Sequence, residues 1–94
     1  MIDINTVAHY IGADISDEEE KNLISCMIDN AYMQILIATN KDYKDTDEMA
    51  PIVNEIVCAS VYLSYYGARD DCKSVQHLQN YIDRNLASLS LLSQ

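Results

Sequence analysis

The sequence contains no Phe and no Trp, and only one Pro and two Gly among 94 residues. Turn-rich β folds depend on frequent glycine and proline, so their scarcity favours long helices. Positive charge is also scarce. Six Lys and Arg stand against fifteen Asp and Glu, a formal net charge of -9. Tight nucleic-acid binding depends on neutralising phosphates and releasing their counterions, and a surface of this sign repels them. Cys26, Cys58 and Cys72 are odd in number and lack C-x-x-C spacing. They argue against a disulfide scaffold or a structural zinc site and fit a reducing compartment. No apolar stretch reaches the ~20 residues that span a bilayer. The opening Met1-Ile2-Asp3-Ile4 has neither the basic nor the apolar region of a signal peptide. The expectation is a soluble chain, intracellular when made, with no membrane partner.

Apolar residues make up 49% of the chain, too many for a disordered polyanion. The length suits a single domain, residues 1–94, with no repeat or linker.

The patterning predicts an all-α fold, a compact bundle of about four helices. A short first helix runs from Asn5 to Ile11, capped by Asn5 or Thr6. Val7, Tyr10 and Ile11 share a face, and Gly12 is the stop. Ser16 followed by Glu19 reads as a capping box, and the acidic Asp17–Glu20 run suits a helix start. The second helix extends from about Asp17 to Thr39, roughly 35 Å. Leu23, Ile24, Met27, Ile28, Ala31, Ile35 and Ala38 form its apolar stripe. Its second half is apolar almost all round, so Tyr32, Met33, Leu36 or Ile37 are candidates for a second contact.

Asn40 fits a left-handed terminator, and Lys41 to Glu48 reads as a polar loop of mixed charge. Pro51 suits the first turn of a third helix, where its missing N–H costs nothing. Glu55 is the only charged residue from Ile52 to Tyr66, which makes this the central helix. The β-branched Ile56, Val57 and Val61 leave a strand as the weaker reading. Gly67 ends the helix, and Ala68 to Lys73 form a loop. Ser74 caps a fourth helix carrying Val75, Leu78, Tyr81, Ile82, Leu86 and Leu89. Leu91 and Leu92 follow in a tail expected to fray.

The residues point to no catalytic, metal or cofactor site. His9 and His77 are far apart and lack partners at ligand spacing. No phosphate loop, dinucleotide fingerprint or Ser/His/Asp order is present. Cys58 lies on the apolar third helix and reads as a small core residue. Tyrosine is the one enrichment, with seven in the chain. Tyr62, Tyr65 and Tyr66 cluster near Arg69, either finishing the core with hydroxyls reaching water or forming an interface, where Tyr and Arg are common anchors.

The order of elements resembles the phage head–tail connector family, small helical proteins associated with DNA packaging and head completion. The likeness rests on Thr6-Val7-Ala8-His9-Tyr10-Ile11, the acidic Asp17-Glu18-Glu19-Glu20, and Ala38-Thr39-Asn40-Lys41-Asp42-Tyr43. It continues in the helix from Pro51 to Tyr65-Tyr66-Gly67-Ala68-Arg69. It extends to about Leu86 and departs from the family's ending at Leu86-Ala87-Ser88-Leu89.

The resemblance implies a non-enzymatic virion protein at the head–tail junction, present in the host cytoplasm before assembly. It implies a homo-oligomeric ring, typically twelve-fold, beneath the portal protein. Such a ring receives the next head-completion or tail protein, and DNA passes through its channel without specific binding. The candidate contact residues are Tyr32, Met33, Leu36, Ile37, Tyr62, Tyr65, Tyr66, Arg69, Leu91 and Leu92. The alternative is a small helical adaptor or regulatory module that binds one protein partner as a monomer or dimer.

Overall fold

Helix α1 spans Ile4–Ile11 and begins one residue before the expected start, because Asp3 caps it. The Asp3 carboxylate accepts the Asn5 backbone N–H at 2.8 Å and the Asn5 side-chain amide at 3.1 Å. Neither Asn5 nor Thr6 is therefore the cap. Gly12 closes the helix at φ 72°, a left-handed conformation that glycine adopts without a Cβ penalty. The computed structural model describes residues 1–66 and 72–92, and the side chains of 1–66 and 77–92. Over these residues the chain is an all-α bundle of four helices, with α2 at Glu18–Thr39, α3 at Ala50–Tyr66 and α4 at Cys72–Leu92.

Asp17 caps α2, its carboxylate accepting the Glu19 N–H at 3.0 Å. The expected Ser16 capping box does not form. The Ser16 N–H instead donates to the Asp14 carboxylate at 2.9 Å, which places Ser16 in a turn ahead of the helix. Glu18, Glu19 and Glu20 fill the first turn, where negative charge complements the helix dipole. Asn40 ends α2 in the left-handed region at φ 58°, and its N–H donates to the Leu36 carbonyl at 2.7 Å.

The loop from Lys41 to Glu48 is polar in sequence but carries a core residue. Tyr43 is buried, with Lys41 above its ring at 5.2 Å. The ammonium of Lys41 also pairs with Glu48 at 2.7 Å. Pro51 lies in the first turn of α3, as its missing N–H allows. Val53, Ile56, Val57, Cys58, Ala59 and Val61 are all buried in α3, which packs against each of the other three helices. The strand reading of its β-branched residues is thereby excluded.

Helix α4 starts at Cys72, so Cys72 and Lys73 are helical and Ser74 lies inside the helix, not at its cap. Gly67 and the loop residues 68–71 fall outside the described residues. Ile82 and Leu89 are buried, and Leu78 and Leu86 pack partly against the core. The helix continues through Leu91 and Leu92. The Tyr65 hydrogen bond to Glu20 sets α3 against α2, and Tyr81 bonded to Glu55 with Leu78 beside Tyr62 sets α4 against α3. The end of α3 meets the start of α2, and α4 runs back along α3. Helices α2 and α4 therefore point the same way. No buried polar or charged residue is found among those described.

Candidate interaction surfaces

The surfaces follow from how α2 is rotated. Its core face is Ile24, Ile28, Ala31, Tyr32 and Ile35. At about 100° per residue, Leu23, Cys26, Met33 and Ile37 fall roughly opposite that face. All four are exposed, with Ile37 at 75% and Met33 at 55%. They lie along about 21 Å of the outward side at 1.5 Å per residue, as two apolar pairs with the exposed Asn30 between them. Leu23 and Ala38 were expected in the buried stripe and are instead exposed. Leu23 lies on the outward side of the helix, and Ala38 lies in its last turn.

Tyr32 is corrected from a contact candidate to a core residue. It is 5% exposed, and its hydroxyl accepts the Ile2 backbone N–H at 2.8 Å. Burial holds its phenol above the ordinary range despite that hydrogen bond. Met33 and Ile37 remain on the surface, and Leu36 is half-buried beside Tyr32 and Met33. Leu91 and Leu92 are also exposed, at 72% and 61%. They lie at the C-terminal end of α4, and Met33 and Ile37 occupy the C-terminal half of the parallel α2.

The three tyrosines of α3 are half-buried, and two of them are hydrogen-bonded within the chain. The Tyr65 hydroxyl donates to Glu20 and the Tyr66 hydroxyl to the Ile11 carbonyl. These bonds fasten α3 to the start of α2 and the end of α1. Tyr62 lies between Tyr66, 4.8 Å away by ring centroids, and Tyr10, which meets it edge-on at 6.3 Å. Arg69 is outside the described residues.

A feature missed in the sequence lies where α1, α3 and α4 meet. Tyr10, Tyr62, His77, Leu78 and Tyr81 line an open cleft of about 500 Å³. A second hollow of about 260 Å³ shares Tyr10 and Tyr81 and reaches Glu55 and Cys58. Tyr10 was expected to share the buried face with Val7 and Ile11, but it is 53% exposed and turned toward this cleft. The Tyr81 hydroxyl donates to the Glu55 carboxylate, which raises the phenol's pKa. Burial chiefly, with Cys58 and Glu55 behind it, raises Tyr10 as well. Burial followed by Glu55 raises the Cys58 thiol. Periodicity could not have found this cleft, since it joins residues from three helices.

Among the described residues, no group of three or more His, Cys, Asp or Glu is placed to hold a metal ion. No helix among them is long and apolar enough to cross a membrane. Fold and surfaces together define the chain as an all-α four-helix domain with apolar residues on the outward side of α2 and an open aromatic cleft beside Glu55. No family model, curated protein or solved structure matches it.

Proposed function

We propose that the chain is a structural adaptor of a phage or prophage virion. It assembles as a ring beneath the portal, extends the DNA channel and docks the next head-completion or tail protein. The single observation that carries this reading is the set of apolar residues Leu23, Cys26, Met33 and Ile37, aimed away from the chain's own core. A lone domain gains nothing by exposing them, whereas a neighbouring subunit would bury them. Leu91 and Leu92 add apolar surface on the helix that runs parallel to α2.

The acidity supports the same reading. With nine net negative charges per copy, a twelve-membered ring carries on the order of −100, part of it facing the channel. Such a wall repels phosphate, so DNA moves through it without adhering. The sequence resemblance to head–tail connectors supplies the ring geometry.

The test is Met33→Asp with Ile37→Asp, mixed with the cognate portal and imaged by electron microscopy beside the wild type. Wild-type rings on the portal, absent in a variant that keeps its helical circular dichroism, are expected. Rings from the double variant would remove this side of α2 from the interface. A monomer or dimer bound to one other protein, with no ring on the portal, would favour the single-partner adaptor.

A further inference from the structure

We propose that the cleft between α1, α3 and α4 is a binding site for an arginine or lysine side chain on a basic segment of another protein. The site stands whether or not the chain forms rings. Its walls are three tyrosine rings from three helices, Tyr10 on α1, Tyr62 on α3 and Tyr81 on α4, together with His77 and Leu78 of α4. Tyr10 and Tyr81 are 53% and 37% exposed, so their rings are available to a guest. The faces of aromatic rings carry partial negative charge and attract cations, most strongly where water is partly excluded.

Glu55 lines the adjoining hollow, which shares Tyr10 and Tyr81 with the cleft, and so places a carboxylate beside those two tyrosines. The Tyr81 hydroxyl holds this carboxylate from one side, fixing its place without neutralising it. No ion pair to Glu55 exists among the described residues, whose salt bridges are Lys41 with Glu48 and Lys44 with Asp29. Raised pKa values at Tyr10, Cys58 and Tyr81 share Glu55 as a cause, so its field reaches across the cleft. The combination is an open aromatic cleft with a carboxylate beside it, chemistry that suits an ammonium or guanidinium group.

Charge selects among occupants. A nucleic-acid base could stack on the tyrosines, but its phosphates would meet Glu55 and a chain of net charge -9. A basic segment is drawn in by that charge, and a second copy has only six Lys and Arg to offer against fifteen Asp and Glu.

The experiment follows tyrosine ring resonances of the full chain at neutral pH. The probes are a short capped Arg-Gly repeat peptide, its Glu-Gly counterpart and tetramethylammonium chloride. The Arg-Gly peptide and tetramethylammonium should shift Tyr10, Tyr62 and Tyr81 saturably, and the Glu-Gly peptide should not. Glu55→Gln keeps the size and the hydrogen bond to Tyr81 but removes the charge. It should weaken the Arg-Gly peptide about tenfold, the loss of one charge-assisted contact. Glu18→Gln, the same charge change at the exposed start of α2, should alter binding less than about twofold. Equal weakening by both variants, or shifts centred on the acidic start of α2, would reduce the effect to general polyanion attraction and overturn the site. Light scattering of the chain alone adds a further outcome. Self-association abolished by Glu55→Gln would mean that the occupant is a second copy, and the proposed partner would be wrong.

Discussion

The Ile2 backbone N–H donates to the Tyr32 hydroxyl at 2.8 Å, joining residues thirty apart in the sequence. The bond ties the segment before α1 to the middle of α2 and satisfies a phenol whose ring is buried. Tyr32→Phe keeps the ring and removes the acceptor. The expected loss is about 1 kcal/mol, lowering Tm by about 4–8 °C for a domain of this size. Thermal unfolding followed by circular dichroism measures it, and an unchanged Tm would remove the bond from the stability of the fold.

Ile35 and Ile37 are two residues apart on α2 and are 1% and 75% exposed. Ile35→Ala empties core volume and should cost about 2–5 kcal/mol. Ile37→Ala in the isolated chain should stay within about 0.5 kcal/mol. Urea denaturation of both variants checks the rotation of the helix. Comparable losses at the two positions would mean that α2 is turned differently.

The two cysteines with described side chains should differ sharply in reactivity. Cys26 is exposed and Cys58 is buried, with burial and then Glu55 raising the Cys58 thiol. The thiolate is the reactive form, so both access and ionisation slow Cys58. With Cys72→Ser as background, a maleimide should modify Cys26 at the rate of a free thiol. Cys58 should react about a hundredfold more slowly or worse, through local opening. Similar rates at native pH would contradict the packing of α3.

Alkaline pH should destabilise the fold. Tyr10 and Tyr32 titrate above the ordinary value of 10.0 chiefly through burial, and Tyr81 chiefly through its hydrogen bond to Glu55. The folded chain thus holds these phenolic protons more tightly than the unfolded chain does. Their contribution to stability is complete below the unfolded phenol range near about 10 and is lost as pH rises through the folded values. Tyr32 dominates, because Tyr10 and Tyr81 are more exposed and better screened. The urea midpoint should begin to decline above about pH 9, where the unfolded Cys58 thiol ionises before the folded one, and fall further above about 10, less steeply in Tyr32→Phe. Phenolate absorbance gives a direct check: if all seven tyrosines titrate together, folded or denatured, the linkage is absent.

Much of the fold is legible residue by residue. Gly12 and Asn40 stand where helices must end, and both adopt the left-handed conformation that suits them. Pro51 lies in the first turn of α3, and Cys58 is a small core residue, as its apolar setting implies. Helix starts were less legible because neighbouring side chains compete. Asp3 beside Asn5, and Asp14, Ser16 and Asp17 in a row, all offer acceptors, and the winner depends on local geometry. Tyr43 could not be read as buried, since nothing in a charged loop signals that it folds over the core.

The sequence by itself determined that this is an acidic, four-helix chain. Those properties follow from composition and short-range periodicity. It did not determine which side of α2 faces outward, because apolar residues surround the second half of that helix and no single face stands out. Packing decided it: the other three helices pack against α2 with Ile28, Ala31 and Ile35 buried, leaving Leu23, Met33 and Ile37 outside. The cleft and its adjoining hollow likewise exist only in three dimensions, where Tyr10, Glu55 and Tyr81 from three helices meet. Burial depends on what the rest of the chain brings against a residue, and sequence spacing does not record it.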